Sequence, residues 1–370
     1  MIVVHYSPHM HPGGPAALAA DLSRTLQAEG CGNIVISRGG EIISRLHSSG
    51  VLHIVCHRPN ILTIWSEIRR IRKIIRQHEP DIIQVYSADA AWIVSRACRK
   101  IGSTKRPCIV GALTGYLPPA AQARAWKYCD FHTVISRHLG AVLQSDSTPF
   151  RCSPWVIPYG VDEDMCHPSY YPTDGWLNQW RGQHPLPDHT LKICIPGAIS
   201  PLHGLEDIVH ILTGLIRSGV SAHVFIEGDV RRALTTYVEE LQDLFSSSQL
   251  ADHITWLGAR PDLRDVLCVC DVIVSLHRQP ATYDRAILEA LALGKPVVGY
   301  DVGVIGELLE AFQPEGRVTP GNTQAIIDTL LQWHSFTPTP ITEIPYPYKM
   351  TDTAATYHKL YNHILSINRK

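Results

Sequence analysis

No stretch of this 370-residue chain approaches the ~18 to 20 consecutive apolar residues that a membrane-spanning helix needs. The start, residues 1–11, has no basic segment ahead of a long apolar run, so no export signal is read there and a cytoplasmic protein is expected. Ten cysteines are present, but none forms a Cys-x-x-Cys pair, and Cys268 and Cys270 stand one residue apart on an apolar element. That scatter excludes a dense disulfide framework and points to buried free thiols. Gly-x-Gly-x-x-Gly is missing. The one Gly-Lys pair, Gly294-Lys295, is followed by Pro296 and has Glu289 where a P-loop requires its first glycine, which excludes Walker chemistry. Of 20 histidines, His5, His9 and His11 lie close together, yet no second cluster has ligand spacing, so no metal is expected. With a net charge of −1, no nucleic-acid partner is expected either.

What is present is an ordinary globular composition, 45% apolar and 18% charged, on a chain long enough for two cores. Short β-branched runs alternate with helical patterns almost from end to end. Runs this apolar are buried on both faces, and the segments between them have the length and period of crossover helices. The fold expected is α/β: two doubly wound, Rossmann-like parallel sheets with ligands in a cleft beyond the strands' carboxyl ends. Residues 1–165 form the first domain, residues 166–190 read as a connection rich in Pro, Gly and polar residues, and residues 191–350 form the second. Charge divides along the same line. The first 165 residues hold 18 Lys and Arg against 12 Asp and Glu, the remainder 15 against 22. A basic first half suits an anionic surface or acceptor.

Two motifs carry chemistry. After the first strand, His11-Pro12-Gly13-Gly14-Pro15 opens a helix, where paired glycines let backbone N–H groups approach an anion; a plain tight turn explains the same residues. The stretch 271–309 runs strand, loop, helix, strand, and its helix carries Glu289, Ala290, Ala292, Gly294, Pro296, Val297 and Val298. This segment resembles the signature of the family 4 retaining glycosyltransferases. Further matches follow in order at Gly13-Gly14, Asp81-Ile82-Ile83, Val134-Ile135-Ser136, residues 157–162, the Gly197 and Gly204 region, and residues 314–318. The resemblance implies a GT-B fold whose last helix, here 351–370, crosses back to the first domain. It also implies a nucleotide-sugar donor, no metal and no other cofactor, hexosyl transfer with retention, and a glycan or lipid-linked acceptor of the kind used in lipopolysaccharide assembly.

Carried over position by position, the resemblance assigns Glu289 to the nucleotide ribose, Arg285 to the loop arginine, and Gly13, Gly14, Gly197 and Gly303 to the donor loops. At other positions the chain departs from the pattern. The arginine and lysine expected to face the diphosphate read Ala198 and His203, the first glutamate of the Glu-x7-Glu pair reads Ala281, and the His-Gly pair of the first domain reads Thr114-Gly115. His277, Arg278, Arg231 and Arg232 are the cations near enough in sequence order to compensate. His203, titrating near neutrality, makes a gain in activity on mild acidification the expectation. Two readings lead at this point, a working transferase with an altered donor site and a pseudo-glycosyltransferase acting as a binding or scaffolding subunit, with a sugar-phosphate or nucleotide-binding regulator behind them as a third. Finally, residues 61–78 place Ile61, Ile64, Trp65, Ile68, Ile71 and Ile75 on one helical face with Arg69, Arg70, Arg72, Lys73 and Arg76 largely on the others. Such a helix either packs as a crossover or also rests its basic face on an anionic membrane.

Overall fold

The computed structural model of the chain describes residues 1–8, 10, 14–57, 63–102, 105–115, 127–145, 153–229, 235–336 and 338–368. The chain divides into two compact units, Met1–Asp162 with Tyr346–Lys370, and Glu163–Pro345. Each is built on one parallel sheet.

In the first unit, β1 (Ile2–Tyr6), β2 (Gly32–Ser37), β3 (Leu52–Val55), β4 (Ile82–Val85), β5 (Cys108–Leu113), β6 (Phe131–Val134) and β7 (Trp155–Val156) lie in the order β3-β2-β1-β4-β5-β6-β7. The order reverses at β1, the switch expected of a doubly wound sheet. The central strands are buried on both faces, which is why their sequences are continuous apolar runs. His5 interrupts that pattern at no exposure. Its Nε2 meets Asn33 Oδ1 at 3.1 Å, an acceptor only, so Nε2 donates and Nδ1 accepts from the Tyr86 hydroxyl at 2.9 Å. Burial pushes the ring's pKa down to about 4, so it stays neutral. Both nitrogens are thereby used, while His9 and His11 lie outside the described residues.

The helix Met350–Asn368 belongs to this unit and packs along the helix Gly14–Ala28. Three hydroxyls fix it. Tyr361 donates to Gln84, Tyr357 pairs with Thr133 at 3.0 Å, and Thr353 Oγ1 donates to Pro158 O at 2.8 Å while accepting from Gly160 N at 2.9 Å. The chain entering the helix passes so close to residue 160 that a Cβ there would lie 2.2 Å from Lys349 O. Only glycine admits that approach.

The second unit orders β8 (Leu191–Pro196), β9 (Ala222–Glu227), β10 (Ile254–Gly258), β11 (Val272–Ser275), β12 (Val297–Tyr300) and β13 (Arg317–Val318) as β10-β9-β8-β11-β12-β13, again all parallel. The segment 166–190, read from the sequence as a connection, contains the helix Asp174–Gln183 and sits inside this unit. Its aromatics explain the difference. Trp176 stacks on Trp180 at 5.2 Å and donates its indole N–H to Asp262 at 2.8 Å, and Trp180 packs on Phe225 of β9. Two tryptophans in ten residues supply the buried area that the polar composition hides. The described cysteines are free, and all but Cys268 are buried.

Of the five apolar residues of helix Ile64–His78 that the sequence placed on one face, Ile68, Ile71 and Ile75 are buried, joined by Ile74 and Glu67. Ile61 lies outside the described residues. Trp65 is 59% exposed, a correction to its place in the stripe. At about 100° per residue it stands ~120° from Ile71, beyond the edge of the buried face. Arg72 and Arg76 are also reassigned. Arg72 donates to Ala97 O at 3.0 Å and Arg96 O at 3.3 Å, and Arg76 to Lys100 O at 3.3 Å. They cap the end of the helix Ala88–Cys98, where unpaired carbonyls and the helix dipole favour cations.

Candidate functional site

In the second unit the carboxyl ends of β8, β9 and β11 converge on one small cleft, lined by Gly197, Ala198, His203, Glu227, Ser275 and His277 among others. The loop after β8 turns sharply. Gly197 has φ +127°, and Gly228, which follows β9, leaves no room for a side chain because a Cβ would stand 1.8 Å from Gly197 O. The turn continues through a short 3-10 helix, Pro201–His203, to Gly204 at φ +61°, where a Cβ would lie 2.5 Å from Leu276 O. These glycines let the loops after β8, β9 and β11 close on one another. The sequence-matched glycines therefore have a backbone reason, independent of any ligand.

His203 is fixed from both sides. Ser200 Oγ meets its Nδ1 at 2.7 Å, and the His277 ring stands edge-on at 4.2 Å. Burial, followed by the neighbouring His277, pushes the pKa of His203 down to about 4 despite Asp284. This runs against the expectation of a gain on mild acidification, since the ring stays largely neutral between pH 7 and pH 5. His277 is largely buried, with Nε2 at 3.2 Å from Asp284 Oδ2 but off the line of a hydrogen bond, so that nitrogen has no hydrogen-bond partner among the described residues. Ser275 Oγ, on the same wall, is likewise buried and unpartnered.

Asp284 also caps the helix Arg285–Ala292 by accepting from Ile287 N at 3.0 Å. That cap starts the helix where Arg285 and Glu289 fall one turn apart, and Arg285 Nε donates to Glu289 Oε1 at 2.6 Å. Glu227 is close enough for Glu289 to raise its pKa further, although burial is the larger cause and the backbone N–H groups of Arg260 and Gly197 oppose both. Arg278, one of the candidate compensating cations, is committed to Asp207 at 2.7 Å, whose other oxygen accepts from the Tyr300 hydroxyl at 2.7 Å. Ala281 offers no carboxylate. Its carbonyl instead accepts from Val304 N at 3.0 Å, and Gly303, at φ +53°, is required because a Cβ would lie 2.6 Å from Ala281 O.

The structure thus gathers Gly197, Ala198, His203 and His277 around one cleft, joins Arg285 to Glu289, and holds Ala281 against Gly303. Gly14 opens the helix Gly14–Ala28 and Thr114 follows β5, both in the first unit. Gly13, Arg231 and Arg232 lie outside the described residues. Sequence reasoning missed Glu227, Ser275 and Asp284. A strand ending in Glu-Gly and an aspartate directly ahead of a helix were the available signals.

Two Rossmann-like parallel-sheet units, the second with its loops gathered at the strands' carboxyl ends, define the GT-B class. Residues 12–165 match Glycosyltransferase Family 4 and residues 190–335 match Glycosyl transferases group 1, and the chain belongs to the GT-B glycosyltransferases. Solved structures agree in fold. A glycosyltransferase from Rickettsia africae is similar with a TM-score of 0.84 at 19% identity, covering 98% of each chain. HepE of Anabaena, solved with UDP and glucose, gives 0.75 at 18% identity over 100% of this chain and 97% of that one. WaaG, a glycosyltransferase involved in lipopolysaccharide biosynthesis, gives 0.63 at 13% identity over 99% and 98%. No curated protein matches the chain by sequence.

Proposed function

We propose that the chain transfers a hexosyl group, with retention of configuration, from a nucleoside diphosphate sugar to an envelope glycan or lipid-linked acceptor. The observation that carries this reading is the Arg285–Glu289 pair on a capped helix, with Glu289 close enough to act on Glu227, which lines the cleft beside Gly197. A carboxylate held in place with one free oxygen is suited to accept hydrogen bonds from the two hydroxyls of a ribose. Arg285, anchored on that carboxylate, would be the cation that meets the diphosphate. The nucleotide ligand of HepE and the pathway of WaaG support the donor and acceptor classes.

Bond cleavage leaves negative charge growing on the departing diphosphate, which fixed cations and N–H donors must meet. His203, neutral, supplies a hydrogen bond in place of a full charge, and Ala198 supplies neither. Losing one such charge contact costs ~3 to 4 kcal/mol of barrier, so turnover in this reading is slow relative to an enzyme with both cations. The same two positions favour the second reading, a nucleotide-binding pseudo-glycosyltransferase that scaffolds other chains. The reading takes no metal. It places the protein on the cytoplasmic face of the inner membrane, touching lipid through helix Ile64–His78, whose exposed residues include Trp65, Arg69 and Lys73.

Incubation with a panel of nucleotide sugars and a bacterial glycolipid extract, followed by NMR of the new linkage, tests this function. A product with the donor's anomeric configuration, formed equally well in EDTA, is the expected outcome. Nucleotide binding with no product over days selects the pseudo-glycosyltransferase.

A further inference from the structure

At the amino ends of β5 and β6 in the first sheet lies a cleft of about 400 Å³ that the donor-site reading does not use. It is lined by Ser95, Arg99, Arg106, Lys127, Tyr128 and Asp130. Arg106 stands two residues ahead of β5 and Asp130 directly ahead of β6, which places the cleft at the strands' amino ends, opposite the ends where open α/β sheets bind their substrates. Its size falls within the range of small-ligand sites.

Three cations face one carboxylate there. Asp130 is held by the backbone, its Oδ2 accepting from Ile109 N at 2.9 Å, and it in turn fixes the Arg106 guanidinium at 3.1 Å and 3.0 Å to its two oxygens. Arg99 and Lys127 have no carboxylate partner among the described residues. Lys127 Nζ sits 5.2 Å from the centre of the Tyr128 ring. A helix end accounts for some cations in this neighbourhood: Arg72 donates to the carbonyls of Arg96 and Ala97, and Arg76 to that of Lys100. Arg99 makes no such bond among the described residues, and Lys127 enters from the segment just ahead of β6. Two surplus positive charges in a concavity, flanked by the Ser95 and Tyr128 hydroxyls, focus the field on an anion of about two charges with several acceptor oxygens.

We propose that this cleft binds a phosphate ester, with Arg99 and Lys127 as the charge partners and Arg106, positioned by Asp130, as the oriented fork. The proposal stands independently of the donor-site reading. The shared chemistry is a phosphate group, carried either by a soluble metabolite or by a lipid headgroup.

The test uses the full chain with inorganic phosphate and sn-glycerol 3-phosphate, followed by calorimetry and phosphorus NMR, and compares wild type with Arg99→Gln/Lys127→Gln. Saturable binding, weakened at least tenfold in the double variant at an unchanged melting temperature, supports the site. A parallel arm measures sedimentation with phosphatidylglycerol vesicles against phosphatidylcholine vesicles. If the double variant also loses its preference for the anionic vesicles while Arg69→Gln/Lys73→Gln retains it, the phosphate is a headgroup; if vesicle binding is unaffected, it is a soluble ester. Non-saturable binding, or equal affinity in wild type and the double variant, overturns the proposal. Nucleotide affinity is measured alongside, since its loss in Glu289→Ala but not in Arg99→Gln/Lys127→Gln separates this site from the donor site.

Discussion

A histidine ring taken out of water beside a second histidine holds its proton less tightly, and at His203 the pKa falls to about 4. In the unfolded chain the same ring titrates near 6.5. The unfolded state therefore binds a proton first as pH drops, so the stability that neutral His203 contributes is complete above about 6.5 and is lost as pH falls toward 4. His5 and His223, both lowered to about 4 chiefly by burial, act in the same direction. Unfolding free energy is expected to decline between pH 6.5 and pH 4 by at most about 1.4 kcal/mol per pH unit for each of these rings. Urea titrations at several pH values check this, and His203→Gln should flatten the slope. At the same residue scale, Ala198→Arg with His203→Lys is expected to tighten nucleoside diphosphate binding tenfold or more, since a charge-assisted hydrogen bond contributes ~1.5–3 kcal/mol. Calorimetry decides it, and an unchanged affinity removes this loop from the diphosphate's surroundings. Glu289 and Arg285 were legible because they match the glycosyltransferase signature that residues 271–309 resemble, whereas their pairing one helical turn apart emerged only in the structure. The neutrality of His203 was not, because the ring that helps enforce it, His277, arrives from another strand. Nor was the role of Asp284, whose value depends on the helix starting at Arg285.

At the scale of elements, the helix Ile64–His78 shows what a period conveys and where it stops. The apolar spacing located the helix and the buried set Ile68, Ile71 and Ile75. It misjudged Trp65, six residues and about 600° ahead of Ile71, and it had no means of showing that Arg72 and Arg76 end on carbonyls of a neighbouring helix. A stripe is a property of one helix, whereas capping partners come from the fold. The helix Met350–Asn368 depends on the same kind of long-range fit. Gly160→Ala would drive a Cβ into the Lys349 backbone, and a loss of about 1–3 kcal/mol is expected from the forced shift. Limited proteolysis should then cleave ahead of Met350 faster than in wild type. Equal cleavage rates and equal urea midpoints would show that the passage of 346–350 past Gly160 does not hold the helix.

For the whole molecule, alternating strands and helices were enough to indicate two parallel sheets, because strands buried on both faces are mostly apolar. The strand orders and the placement of residues 166–190 in the second unit were not readable. Both depend on which element each side chain meets, as Trp180 meets Phe225. The excess of positive charge in the first half is now seen to gather partly at the end of the helix Ala88–Cys98, and the acidic second half to include Glu227, Asp284 and Glu289 near the Gly197 cleft. A protein that binds a nucleotide in such surroundings must do so largely through the ribose and base, which makes Glu289 decisive. The central claim is therefore tested most directly by calorimetric titration of wild type and Glu289→Ala with uridine, guanosine, cytidine and adenosine diphosphates and their sugar conjugates. One nucleotide is expected to bind wild type saturably, with at least tenfold weaker binding to a Glu289→Ala variant of unchanged melting temperature. Saturable binding that survives intact in Glu289→Ala, or no binding of any nucleotide to wild type, would contradict the account.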